Sequence, residues 1–216
     1  MAPTTSVGSG DDGEGGSRAR TDFWRTREVP SNELPRPVAL DAVLARTDDV
    51  VVSLNGLLVY RNGVLLQLQV LVRGGSAHEP GAALHGHGDP NARMLLGVEL
   101  ADGRRFSSAS SPGSVAPDPT APLLTSQGGG GDARRATGGM FLTPLPPPPE
   151  LRIVCAWPIH GVADTITTLP TGPILDAAAR VDEVWPWEPY PDGEPVPAPA
   201  APAGSWFSET DEPSEQ

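Results

Sequence analysis

Five prolines, Pro144 and Pro146 to Pro149, stand between two apolar runs in the segment LTPLPPPPELRIVCAWP, residues 142–158. Proline has no N–H to give a sheet ladder and clashes inside a helix, so such a block must separate elements. The pattern predicts a strand over 138–145, a stiff polyproline-like link, and a second strand over 150–158. In the second strand Leu151, Ile153, Cys155 and Trp157 share one face, and Arg152, Val154 and Ala156 share the other. Prolines wedged between two apolar strands are poorly placed to serve as a ligand for a proline-reading domain.

Period-two patterning extends upstream. Within DVVVSLNGLLVYRNGVLLQLQVLVR (49–73), Leu66, Leu68, Val70 and Val72 alternate with Gln67, Gln69 and Leu71. A helix is the rival for this run, but the flanking Asn62-Gly63 pair and the valines favour a strand. Asn55-Gly56 and Asn62-Gly63 are turn or bulge signals. Burying those four side chains stabilises by roughly 1.5–3 kcal/mol each. An edge strand is expected over 37–47. RMLLGVELADGRRFSSAS (93–110) reads as a hairpin turning at Asp102-Gly103, and 159–169 as a further strand. Residues 74–92 and 111–137, the latter with GGGG at 128–131, read as long loops. After them the period changes: Ile174, Ala177, Ala178, Val181 and Trp185 recur at helical spacing between Pro173 and Pro186. This predicts a closing helix near 173–185 with Trp185 packed on the sheet.

Composition separates this centre from the ends. The net charge of -12 divides into -2 over 1–34 (six acids, four arginines), -3 over 35–187 (fourteen acids, eleven arginines) and -7 over 188–216 (seven acids, no base). The expected organisation is a disordered tail over 1–34, one domain over 35–187, and an acidic, proline-rich disordered tail over 188–216. Each tail carries one aromatic pair, Phe23-Trp24 and Trp206-Phe207. All fifteen basic residues are arginine, which excludes lysine Schiff-base and P-loop lysine chemistry. A near-neutral domain with an acidic tail has no electrostatic footprint for nucleic acid or an anionic membrane. The N-terminus lacks the basic start and apolar core of a signal peptide, and no apolar run reaches the roughly 18 residues a membrane span needs. A cytoplasmic protein is expected. The single cysteine, Cys155, can form no internal disulfide and reads as a small buried hydrophobe.

The order of LLVYRNGVLLQLQVLVR, GVELADGRR, a Gly-rich loop, LTPLPPPPELRIVCAWP and ILDAAARVDEVW resembles a family of mostly β proteins from high-GC actinobacteria. The resemblance covers about 37–187. It implies an architecture, and the family has no established activity to carry over.

The one constellation with metal-ligand chemistry is HEPGAALHGHGDP, offering His78, Glu79, His85, His87 and Asp89. Imidazole and carboxylate suit zinc, copper or nickel, although a Gly-rich loop orients ligands badly. No Gly-x-Ser-x-Gly elbow occurs, Cys155 has no visible base, and GGGGDARR lacks the Lys-Ser/Thr of a phosphate loop. The sequence therefore predicts an all-β fold, an immunoglobulin-like β-sandwich of about seven strands with one short C-terminal helix. A small closed barrel is the runner-up. The expected function is a non-enzymatic binding or scaffold module with a protein partner and no cofactor. The alternative is a metal-dependent enzyme or metal-binding protein using His78, His85, His87 and Asp89.

Overall fold

The structure is a computed structural model that describes residues 27–74, 80–85, 89–108 and 121–188. The described residues are mostly β, in open antiparallel sheets. Among the described residues there are twelve strands where about seven were expected: β1 (Glu33–Leu34), β2 (Arg36–Val38), β3 (Ala42–Arg46), β4 (Val50–Val59), β5 (Val64–Val72), β6 (Leu95–Leu100), β7 (Arg105–Ser107), β8 (Leu123–Gly131), β9 (Arg135–Thr143), β10 (Glu150–Trp157), β11 (Val162–Pro170) and β12 (Asp182–Glu183). Two short helices, α1 (Pro80–His85) and α2 (Gly172–Ala178), complete the set.

The first sheet has the order β2-β4-β5-β9-β8, with β3 also on β4. The second has the order β11-β10-β6-β7, and β1 pairs with β12 as a separate ribbon. The expected edge strand over 37–47 is thus two strands, both on β4. The proline block carries the chain from β9 in the first sheet to β10 in the second. One buried cluster takes side chains from both sheets: Leu54, Leu66, Leu68 and Val70 from the first, and Leu96, Val98, Leu151, Ile153, Cys155 and Trp157 from the second. The alternation read from β5 and β10 sets these faces. At the sheet margins β3 lies beside β11 and β10, and β7 beside β8.

The two Asn-Gly pairs do different work. At Gly56 (φ 147°) the register slips between Leu54 and Leu57, a bulge that only glycine adopts freely. At Asn62-Gly63 the chain turns between β4 and β5 without a positive φ. A Cβ on Gly63 would lie 2.4 Å from the Leu142 carbonyl oxygen, so close approach explains that glycine.

Three expectations are corrected. First, the segments read as loops contain elements. Residues 80–85 form α1, and the glycine run 128–131 lies in β8, paired to β9 with a bulge between Ser126 and Gly129. The reason is steric. Cβ atoms on Gly129 and Gly138 would lie 2.5 Å and 2.6 Å from the His85 ring, and one on Gly138 would lie 2.8 Å from Leu84. The bare backbone makes a floor on which α1 beds Ala83 and Leu84 into the core. Strand propensity scales penalise glycine and conceal this arrangement.

Second, the closing helix ends at Ala178, and Trp185 is 57% exposed. Ile174, Ala177 and Val181 do face the core as the periodicity required. Beyond them, guanidinium groups from the first sheet take over the backbone. Arg36 Nε donates to the Arg180 carbonyl (2.6 Å) and Arg61 Nη2 to that of Val181 (3.1 Å). Arg36 also pairs with Asp182 (2.5 Å) and Arg61 with Glu183 (3.0 Å), which aligns 182–183 against β1.

Third, the fold begins before residue 35. Arg27 is buried and donates to the Ala121 carbonyl, Asn62 Nδ2 donates to that of Glu28 (2.8 Å), and Glu33 accepts from the Arg61 N–H (3.0 Å). The rest of the expected N-terminal tail, 1–26, lies outside the described residues, as does the expected C-terminal tail from 189 onward.

Candidate functional site

Of the four proposed metal ligands, His78 and His87 lie outside the described residues. His85 ends α1, where its Nδ1 is 2.6 Å from Ser126 Oγ on β8 and its ring covers the glycine floor. Asp89 caps the 3₁₀ turn Pro90–Ala92, its Oδ1 accepting from the Asn91 N–H (2.9 Å). Among the described residues no three His, Cys, Asp or Glu side chains converge on a metal position. His85 and Asp89 each serve local structure.

Cys155 is fully buried on β10, and desolvation pushes its thiol up from 9.0 to about 11. A thiol held protonated at neutral pH is a poor nucleophile. Folded protein at pH 8 is expected to resist iodoacetamide and to take one label only after denaturation, as read by intact mass. Because the folded-state value is raised, Cys155 favours folding below about pH 9. That contribution is lost as pH rises through about 11.

The outward face of the second sheet carries a charged row. Arg152 on β10 opposes Glu99 on β6, and Glu99 opposes Arg105 on β7. Arg105 Nε donates to Glu99 (2.6 Å), Arg152 Nη1 donates to its other oxygen (2.9 Å), and Arg152 also pairs with Glu150 (2.9 Å). Hydrogen bonding from Arg105, joined by Arg152, holds the Glu99 carboxyl below its ordinary range. The hollow beside this row, lined by Glu99, Leu100, Ala101, Gly103, Glu150 and Arg152, holds about 100 Å³. Pockets that enclose small organic ligands run to about 300–1,000 Å³. The row is a solvated ladder of matched charges.

A different segment carries exposed apolar side chains on an ordered backbone. Leu34 on β1, and Val184 and Trp185 just after β12, are all exposed. Their backbone is fixed: the Val184 N–H donates to the Asn32 carbonyl (2.8 Å) and Asn32 Nδ2 to that of Trp185 (3.0 Å). Arg36 and Arg61 hold the ribbon against the first sheet. The sequence offered Trp185 as a core residue, and nothing in its helical spacing signalled the arginine clasp that turns it outward. No helix among the described residues is long and apolar enough to cross a membrane. No protein-family model, no curated protein and no solved structure matches the chain.

Proposed function

We propose that the chain is a non-enzymatic binding or scaffold module for a protein partner, built on an immunoglobulin-like β-sandwich. One observation carries the functional reading: Leu34, Val184 and Trp185 stand exposed on a backbone that is hydrogen-bonded and clasped. Exposed tryptophan on an ordered backbone, with Arg36 and Arg61 nearby in the clasp, offers the residue types that contribute most of the binding energy at interface centres. Two antiparallel sheets sharing one cluster, joined by the proline crossing, support the sandwich. The proximity of β3 to β11 and of β7 to β8 supports the rival closed barrel.

The test uses the full chain, the chain trimmed to 27–188, and full-length Trp185→Ala as baits in native lysate. A partner held by the first two and lost by the third is the expected result. A partner lost on trimming alone would move the interaction to the tails, and equal capture by all three would overturn the ribbon as the site. Stoichiometric zinc, copper or nickel in purified protein, removed by His85→Ala, would instead favour the metal-binding alternative.

A further inference from the structure

We infer that β11 is a pairing edge through which two copies of this chain join into one continuous eight-stranded sheet. The strand ends its sheet: among the described residues it pairs with β10 alone. Every second N–H and C=O of an outer strand points away from its neighbour, ready to template another strand. β3 passes on the core side of β11, where Thr165 Oγ1 donates to the Leu44 carbonyl (2.7 Å), and no backbone bond joins the two. Among the described residues the in-plane edge of β11 is therefore without a backbone partner.

Natural proteins blunt such edges with charge, proline, bulges or shortness. The other margins show these devices. β7 has three residues, β2 contains Pro37, β3 has a register shift and Arg46, and β8 is bulged and ends in four glycines. β11 runs nine residues, VADTITTLP, with one charge at Asp164, a register shift against β10 between Val162 and Thr165, and its only proline at the end, which leaves Thr165–Leu169 as the uninterrupted pairing stretch. It is rich in β-branched residues, which favour strands.

Its centre is Ile166, at 66% the most exposed large hydrophobic side chain of the described residues. A two-fold axis there sets Ile166 opposite its copy, Thr165 opposite Thr167, and Asp164 opposite Thr168. Ile166 already opposes Val154, and Val154 opposes Gly97. The dimer thus joins two half-covered apolar rows into one. Directly opposed side chains on one face stand about 4.5–5.5 Å apart at Cβ, close enough for the two isoleucines to pack.

The neighbouring row supplies charge complementarity. Arg105, Glu99, Arg152 and Thr168 follow one another across the sheet. Pairing about Ile166 brings the second copy's Asp164, which lies at the margin of the register shift, beyond the neutral Thr168, so the arginine end of the row faces an acid across one threonine. The symmetry repeats this match on the other side of the axis, as an isologous contact requires.

Sedimentation of the full chain across about 10–500 µM tests the inference, a range suited to an interface below about 1,200 Å². A reversible dimer is expected, weakened at least about tenfold by Ile166→Lys, which places like charges opposite one another. Ile166 is exposed, so circular dichroism and the urea midpoint of that variant should match wild type. In a second arm, Ile166→Cys should oxidise to a covalent dimer, because opposed Cα atoms about 4.5–5.5 Å apart suit a disulfide. Leu71→Cys, exposed on the first sheet, should stay monomeric under the same oxidant. A chain that remains monomeric throughout would overturn the assignment. So would a dimer indifferent to Ile166→Lys, or equal cross-linking of the two cysteine variants.

Discussion

Trp157→Ala is expected to cost about 3–5 kcal/mol in urea unfolding, the scale for removing a large buried aromatic side chain. Trp157 is fully buried at the end of β10, its Nε1 donates to the Ala92 carbonyl (2.8 Å), and its ring meets His160 edge-on at 4.2 Å. Truncation empties a large volume and removes the donor from that carbonyl, a loss worth about 1–3 kcal/mol where the acceptor stays buried. Trp157→Phe keeps much of the volume and should fall between alanine and wild type. Trp185→Ala, at an exposed position, should stay within about 0.5 kcal/mol. Equal losses at Trp157 and Trp185 would contradict the burial described for both.

The second large effect is expected at Gly129. An alanine Cβ there would lie 2.2 Å from the Thr137 carbonyl oxygen and 2.5 Å from His85 Nε2, at a φ of 156°. Backbone of a paired strand cannot step aside as a flexible side chain can, so Gly129→Ala should destabilise by about 1–3 kcal/mol. One residue on, Gly130 has no heavy atom within 4 Å of its added Cβ and no positive φ. Gly130→Ala should be neutral or stabilise by up to about 1 kcal/mol, because alanine restricts the unfolded chain more than glycine does. Urea midpoints of the two variants separate close approach by the β9 backbone and the His85 ring from simple glycine flexibility. Matching midpoints would mean that neither β9 nor His85 approaches Gly129 as closely as described.

These paired contrasts mark what the residues disclosed and what they withheld. The alternation of β5 and β10 was readable because burial on one face imposes a period of two on the side chains themselves. The strand–proline–strand order was readable because proline's missing N–H acts locally. The glycine strand β8 was hidden, since its identity depends on a helix forty residues upstream in sequence that needs a floor without side chains. Trp185 was misplaced for a related reason. Its helical spacing is genuine, but Arg36 and Arg61 bind the carbonyls of Arg180 and Val181 and redirect the chain. The ladder from Arg152 through Glu99 to Arg105 needed the register of three strands before its members could be seen as neighbours. For the histidine loop, His85 and Asp89 turned out to be employed in packing and capping, roles that a list of ligand types does not reveal.

The β1–β12 ribbon also imposes an order in time. Its two strands pair Glu33 with Glu183 and Leu34 with Asp182. During synthesis every other pairing can close while the chain is still being extended, because β11 is complete before β12 has been made. Glu33–Leu34 must wait for a strand partner until the last described strand emerges. Contacts so distant in sequence are slow to form, since loop closure must be met before they return any stabilisation. A chain stopped short of Asp182 would therefore carry both sheets and the contacts of Arg27, Glu28 and Glu33, yet leave β1 without its strand partner.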